Sequence, residues 1–127
     1  MREKIQLEYI IKASNKSLYA SISTPEGLSE WFADEVHVEQ NSQMFTFVWD
    51  GEAQKARMIL QKALSFIRFQ WENEDEEEYF EFRIVIDPLT NDMVFVITDF
   101  VDSDEKNDAV RLWNLQVDTL KKSLGAN

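Results

Sequence analysis

An aspartate–glycine pair between two runs of alternating residues constrains the fold of this chain more than any other feature. Asp50-Gly51 is favoured in two-residue β-hairpin turns, because both positions of such a turn can require positive φ. A two-residue turn fixes which residues face each other across the two strands. The predicted pairs are Trp49 with Glu52, Phe47 with Gln54 and Phe45 with Ala56. The aromatic residues of the first run therefore share one face of a sheet, and that face should be buried.

The strand pattern continues through the rest of the segment from 35 to 100. With a second turn at 62–65, the expected pairs are Ala56 with Trp71, Met58 with Phe69 and Leu60 with Ile67. The next strand adds four residues to the same apolar face: Phe80, Phe82, Ile84 and Ile86. Its other side chains, Glu81 and Arg83, should face water. After a turn over 87–92, the last strand is apolar on both faces. For that strand we predict the inward set Val94, Val96, Thr98 and Phe100.

Elements near the N-terminus precede this sheet segment. The first strand, from Lys4 to Ile11, places four side chains on one face: Ile5, Leu7, Tyr9 and Ile11. Ser14 predicts the cap of a short helix that ends near Ser23. Thr24-Pro25-Glu26 predicts the start of a second helix, since it combines a hydroxyl cap, a proline at the first helical position and an acid.

A long amphipathic helix should follow the last strand. Ser103 is its predicted N-cap, Lys121-Lys122 suit the negative end of the helix dipole, and Gly125 predicts the stop. Apolar residues recur there at intervals of three and four: Val110, Trp113, Val117, Leu120 and Leu124. We expect Trp113, the largest of them, to be buried in the middle of the contact between helix and sheet.

The segment from Ser14 to Phe32 resembles the ATPase-activator-homologue branch of the START-like (SRPBCC, helix-grip) superfamily. Members run from a first strand into a helix with an aromatic residue near its middle. A threonine–proline-like cap follows, here Thr24-Pro25, and then a tryptophan–phenylalanine pair, here Trp31-Phe32. The order of predicted elements resembles the superfamily over the whole chain. The resemblance implies one α+β domain over residues 1–127, a β-α-α-β6-α helix grip whose seven-stranded curved antiparallel sheet wraps around the long C-terminal helix.

The resemblance also implies a cavity between sheet and helix. Relatives use that cavity for lipids, sterols, polyketides or other apolar ligands, and some for enzymology, while one eukaryotic relative regulates a heat-shock chaperone ATPase. A family this diverse predicts fold more strongly than function. The leading hypothesis is non-enzymatic binding of a small apolar molecule, lipid- or polyketide-like. The alternatives are a protein-interaction or co-chaperone-like module that meets a protein partner through its acidic surface, and a cyclase- or hydrolase-like enzyme.

The candidate ligand-binding residues are bulky side chains of the predicted inner face and of the last helix. They are Phe45, Phe47, Trp49, Met58, Phe69, Trp71, Phe82 and Trp113. Residues of these types line apolar pockets, but in many proteins they only fill a core. The sequence leaves both interpretations open.

Catalytic chemistry has little support in the sequence. His37, the sole histidine, lies between Val36 and Val38, and their apolarity predicts that His37 points to solvent. The predicted inward polar residues are only Glu52, Gln54 and Thr98. The acidic run from 72 to 78 should be a solvated hairpin tip rather than a metal site. We therefore predict no catalytic residue, no metal site and no cofactor.

Charge and composition limit the partners further. The 24 acidic and 13 basic residues give a net charge of −11, which disfavours nucleic acids and anionic membrane surfaces. The chain has no cysteine, and its charged, alternating N-terminus predicts no secretory leader, so we expect a cytoplasmic protein. No apolar stretch approaches the roughly 18 residues that a membrane span requires, so membrane insertion is not expected.

Overall fold

In the computed structural model, which describes residues 1–39, 43–72 and 78–126, a seven-stranded antiparallel sheet curves around the C-terminal helix. In chain order the elements are β1 (Arg2–Ile10), α1 (Asn15–Ser23), α2 (Pro25–Leu28), β2 (Glu35–Val38), β3 (Met44–Trp49), β4 (Glu52–Lys62), β5 (Phe66–Trp71), β6 (Phe80–Ile86), β7 (Met93–Asp102) and α3 (Lys106–Leu124). The strands are ordered β1-β7-β6-β5-β4-β3-β2. The predicted α+β helix grip is confirmed.

The two short helices begin where the sequence predicts. The Ser14 hydroxyl oxygen accepts from the backbone N–H of Ser17 at 3.0 Å, which caps α1. The Thr24 hydroxyl oxygen accepts from the N–H of Gly27, also at 3.0 Å, and caps α2. A Cβ atom at Gly27 would collide with the backbone of Ala20, so glycine is what allows α1 and α2 to pack so closely.

The predicted register is confirmed around the hairpin. Asp50 and Gly51 have φ of 50° and 80°, and the three pairs expected across the turn are present. Across β4 and β5, the predicted pairs Ala56 with Trp71 and Met58 with Phe69 are present as well. Phe47 and Phe69 are fully buried, so the aromatic face is the inner face.

One predicted pair in β4 is wrong. Leu60 lies opposite Arg68 rather than Ile67, because the register shifts between Met58 and Leu60. A bulge of this kind adds one residue to one strand and reverses which face the following side chains occupy. Gln61 therefore pairs with Ile67, and Leu60 is left exposed.

The inward set predicted for β7 is also wrong. The residues that point inward and are buried are odd-numbered ones: Met93, Phe95, Ile97 and Val101. Asp99 is also odd-numbered, and its side chain likewise points inward, toward α3. Thr98 lies on the outer face, where its hydroxyl oxygen accepts from the Gln6 amide at 3.3 Å. Gln6 on β1 and Glu81 on β6 lie opposite Thr98 and share that outer face with it, so alternation of apolar and polar residues does not mark the core in this strand.

Glu81 is the second correction on the outer face. It was expected to face water, but only 5% of it is exposed. Its carboxylate accepts from Arg68 at 2.9 Å and from Arg83 at 3.1 Å. Burial alone would raise the pKa of Glu81, but the hydrogen bonds and charges of Arg83 and Arg68 outweigh it and hold that pKa below 4.5. At the end of the same strand Ile86, predicted inward, is half exposed.

The last helix packs its predicted stripe on the sheet. Trp113, Val117 and Leu120 are buried, and Gly125 ends the helix with φ of 69°. The Ser103 cap is wrong, because Ser103–Glu105 forms one 3₁₀ turn before α3. The Ser103 hydroxyl instead donates to the carbonyl oxygen of Met1 at 3.1 Å, which ties the start of the chain to the start of the helix segment. Within the three described ranges, no helix is long and apolar enough to cross a membrane.

Candidate functional site: a cleft between the sheet and the C-terminal helix

A cleft of about 450 Å³ lies between α3 and the inner face of the sheet. Its apolar lining residues are Phe32, Trp49, Trp71, Phe80, Ala109, Leu112 and Trp113. Its polar lining residues are Gln54, Asp99 and Gln116. A concave, mainly apolar surface with a few convergent polar groups is typical of a small-molecule site.

The sheet side of the cleft is a set of angled rings. Trp49 on β3 and Trp71 on β5 have ring centroids 6.0 Å apart and planes inclined at 58°. Trp71 also contacts Phe80 on β6 at 4.8 Å. Across β4, the register places Ala56 opposite both Phe45 on β3 and Trp71 on β5, so a small side chain separates the two aromatic strands. The rings thus form a continuous wall.

Trp113 forms the helix side of the cleft. Its ring stacks on Phe32, with centroids 5.7 Å apart and planes 11° from parallel, and it meets Phe82 edge-on at 5.9 Å. Only 7% of Trp113 is exposed, which confirms the expectation that it is buried between helix and sheet. Phe32, in the loop after α2, contacts both Trp113 and Trp49 and so joins the two sides of the cleft.

Hydrogen bonds hold the lining in place. The Trp49 indole N–H donates to the carbonyl oxygen of Phe32 at 2.7 Å, and the Gln116 amide donates to the same oxygen at 2.9 Å. The Trp113 indole N–H donates to Asp99 Oδ2 at 3.0 Å. Asp99 Oδ1 accepts from the backbone N–H of Phe100 at 2.8 Å. The rings and the carboxylate are therefore oriented before any ligand arrives.

A second hollow of about 430 Å³ adjoins the cleft and shares Trp71, Asp99, Ala109 and Leu112 with it. Its remaining lining is mostly charged and includes Arg2, Asp102, Glu105 and Asp108. Arg2 is paired there, since its guanidinium lies 2.6 Å from Glu78 and 3.8 Å from Asp102. The carboxylates around this adjoining hollow thus outnumber the cation.

The eight candidate residues occupy two different places. Trp49, Trp71 and Trp113 line the cleft. Phe45, Phe47, Phe69 and Phe82 are buried in the core beneath it, and Met58 is half-buried against that core. The ligand-binding role of all eight stays a prediction.

The cleft residues that the sequence did not indicate include Phe32, Asp99 and Gln116, together with Ala109 and Leu112. Phe32 belongs to the tryptophan–phenylalanine pair of the family-like motif, but the motif says nothing about where its ring points. Asp99 was missed because the even-numbered residues of β7 were expected to point inward, whereas the odd-numbered ones do. Gln116 lies three residues after Trp113, at the edge of the apolar stripe, and a polar residue at that edge does not by itself indicate a cleft.

A family model for the START-like superfamily domain matches residues 1–126, nearly the whole chain. This protein belongs to the START-like superfamily. The family assignment agrees with the resemblance noted from residues 14–32 and with the observed helix grip. No curated protein matches the chain.

Solved structures agree with the START-like assignment. The chain is 42% identical to the Bacteroides fragilis protein BfR322, covering 96% of this chain and 90% of that one, with a TM-score of 0.65. The Aha1 dimer of Colwellia psychrerythraea has 18% identity, 96% coverage of both chains and a TM-score of 0.77. A Bacillus halodurans protein has 16% identity, 96% coverage of both and a TM-score of 0.74. The last two similarities show the fold alone.

Other candidate groups of this START-like domain lie away from the cleft. His37 is exposed, as expected, and its Nε2 lies 3.6 Å from a carboxylate oxygen of Glu35. The prediction of a hairpin tip over residues 72–78 falls mainly on 73–77, which lie outside the described residues. Within the described part of the chain, no three acidic or histidine side chains converge as metal ligands would.

Proposed function

We propose that this START-like domain binds a small apolar molecule, without transforming it, in the cleft between the sheet and α3. The observation that carries the proposal is the pair of aromatic walls around about 450 Å³ of space. Trp49 and Trp71 stand on the sheet side and Trp113 on the helix side, with Phe32 joining them. Such a space suits a ligand of lipid- or polyketide-like character. The compartment that we propose for this binding is the cytoplasm.

The lining favours binding over catalysis. Acid–base or nucleophilic chemistry needs at least two cooperating groups, such as a nucleophile and a base. Among the described residues that line the cleft, Asp99 is the one ionisable side chain, and its neighbours Gln54 and Gln116 are neutral amides. The carboxylate already accepts from Trp113 and from the backbone of Phe100. This arrangement orients a ligand but supplies no second reactive group.

The test is to fill the cleft from the helix side. Ala109 lines the cleft, so Ala109→Phe adds a ring to the space without removing any wall. The matched control is Leu89→Phe, which places the same residue at an exposed turn. The neutral dye N-phenyl-1-naphthylamine, which brightens in apolar surroundings, reports occupancy.

We expect the parent and Leu89→Phe to bind the dye equally and Ala109→Phe to bind it at least about tenfold more weakly, a loss of about 1.4 kcal/mol. Circular dichroism and urea unfolding confirm that all three proteins are folded. A folded parent that does not bind the dye, or an Ala109→Phe variant that binds it as well as the parent, contradicts the proposal.

A second candidate is a protein-interaction module, and the exposed side chains of Leu112 and Leu115 on α3 favour it. Apolar side chains exposed on one helix of a strongly acidic protein suit a partner with an apolar and basic surface. Leu115→Glu tests this candidate in a pull-down at low and high salt. Loss of a salt-sensitive partner in Leu115→Glu, with retention in Ala109→Phe, supports the interaction module over cleft binding.

A further inference from the structure

We propose that the ligand of the cleft is an organic cation, a quaternary ammonium or protonated amine carried on an apolar body. The inference rests on the proposed function, because it names the ligand class of the same cleft. Three features carry it: the type of rings, the carboxylate among them and the charge of the adjoining hollow.

The rings are the kind that bind cations. The face of an aromatic ring is electron-rich, and tryptophan attracts a cation more strongly than tyrosine or phenylalanine. Three of the four tryptophans of this chain line the cleft, and Phe32 and Phe80 complete the lining rings. The planes of Trp49 and Trp71 are inclined at 58° to each other, so their faces do not present a single flat surface. An ammonium group bounded by inclined rings meets more than one face at once.

Asp99 places a negative charge among these rings. Its two oxygens accept from the Trp113 indole and the Phe100 backbone, which fixes the plane of the carboxylate. The other polar lining residues, Gln54 and Gln116, are uncharged. A carboxylate in a largely apolar cleft attracts a cation, because the low surrounding dielectric strengthens the interaction. The same charge repels a fatty acid or a phosphate.

The adjoining hollow carries an excess of negative charge as well. Asp102, Glu105 and Asp108 line the adjoining hollow, and Arg2 is engaged there by Glu78 and Asp102. An opening lined by charge of one sign concentrates ligands of the opposite sign. The net charge of −11 acts in the same direction over longer distances. The charges around the cleft therefore favour a cationic ligand over an anionic one.

Three probes of nearly the same shape test the inference. Phenyltrimethylammonium is a cation, tert-butylbenzene is its neutral isostere with carbon in place of nitrogen, and benzenesulfonate is an anion. Binding is followed by two-dimensional NMR of the tryptophan indole N–H groups. Trp49, Trp71 and Trp113 line the cleft, while Trp31 is buried with its N–H donating to the carbonyl of Ser21 and serves as an internal reference.

We expect the cation to shift the three cleft indoles and to bind about tenfold more tightly than tert-butylbenzene, the range of a partly desolvated cation–π contact. Benzenesulfonate should bind more weakly than either. If tert-butylbenzene or benzenesulfonate binds as tightly as the cation, the inference is overturned while cleft binding stands. If none of the probes shifts the cleft indoles, both the inference and the proposed function are overturned.

Two variants separate the local charge from the overall charge. Asp99→Asn removes the carboxylate charge but keeps an oxygen that accepts from Trp113. Glu8→Gln makes the same change in net charge on the exposed outer side of β1. Asp99→Asn should weaken binding of the cation by about threefold, because the carboxylate charge is lost while the ring faces remain. Binding of tert-butylbenzene should stay unchanged, and Glu8→Gln should alter neither. Equal effects of the two variants on cation binding would show that Asp99 has no special role and would overturn the inference.

Discussion

Replacement of Trp113 measures how firmly the last helix is attached to the sheet. The indole stacks on Phe32, meets Phe82 edge-on and donates to Asp99, and 93% of the residue is removed from solvent, since 7% is exposed. Trp113→Ala removes all of these contacts at once. Trp113→Phe keeps most of the ring and loses the N–H, so comparison of the two variants separates packing from hydrogen bonding.

The magnitude follows from the buried area. A tryptophan buries about 150–250 Å², which at about 25 cal/mol per Å² corresponds to about 4–6 kcal/mol as an upper bound. One side of the ring borders the cleft and lacks packed neighbours there, so we expect Trp113→Ala to lower the free energy of unfolding by about 3–4 kcal/mol. Trp113→Phe should cost about 1 kcal/mol, because water in the cleft can replace the lost donor to Asp99.

Urea unfolding followed by far-UV circular dichroism measures both losses. The slope of the free energy against urea should stay the same in all three proteins, so that the midpoint shifts report stability alone. A loss below about 1.5 kcal/mol for Trp113→Ala would refute the reasoning, because such a value is well under the usual cost of truncating a packed tryptophan. Equal losses for the two variants would show that the hydrogen bond to Asp99, rather than the ring, attaches the helix.

Two further predictions concern the outer face and the helical segment. Hydrogen bonds from Arg83 and Arg68 lower the pKa of Glu81 from the ordinary value of a glutamate. Its stabilising effect is therefore present above that ordinary value and is lost as the pH falls through the lowered pKa. Glu81→Gln should therefore destabilise the protein at pH 7 and flatten its acid unfolding curve. A curve as steep as that of the parent would contradict this. Gly27→Ala should cost about 1–3 kcal/mol in urea unfolding, because the added Cβ meets the backbone of Ala20. An unchanged midpoint would show that α1 and α2 can separate freely.

Turns and helix ends were predicted correctly where only one local conformation suits the residues present. The Asp50-Gly51 turn requires positive φ at two adjacent positions, and that requirement alone sets the pairing of β3 with β4. The caps at Ser14 and Thr24 follow from hydroxyl groups that satisfy free N–H groups at a helix start. The stop at Gly125 follows from its left-handed conformation. These features depend on neighbours in sequence, so the sequence by itself determined them.

The composition of the cleft lining depends on contacts between residues far apart in sequence, and only the tertiary structure decides those contacts. Strand β7 is apolar on both faces, so its alternation could not show that Asp99 rather than Thr98 points inward. Gln6 on β1 and Glu81 on β6 lie opposite Thr98, and their side chains share its outer face, so Thr98 is buried there although it points away from the helix. Glu81 is buried for the same reason, since Arg68 from another strand lies beside it. The charge inside the cleft was therefore fixed by the order of strands, because that order decides which side of a two-sided apolar strand meets the helix.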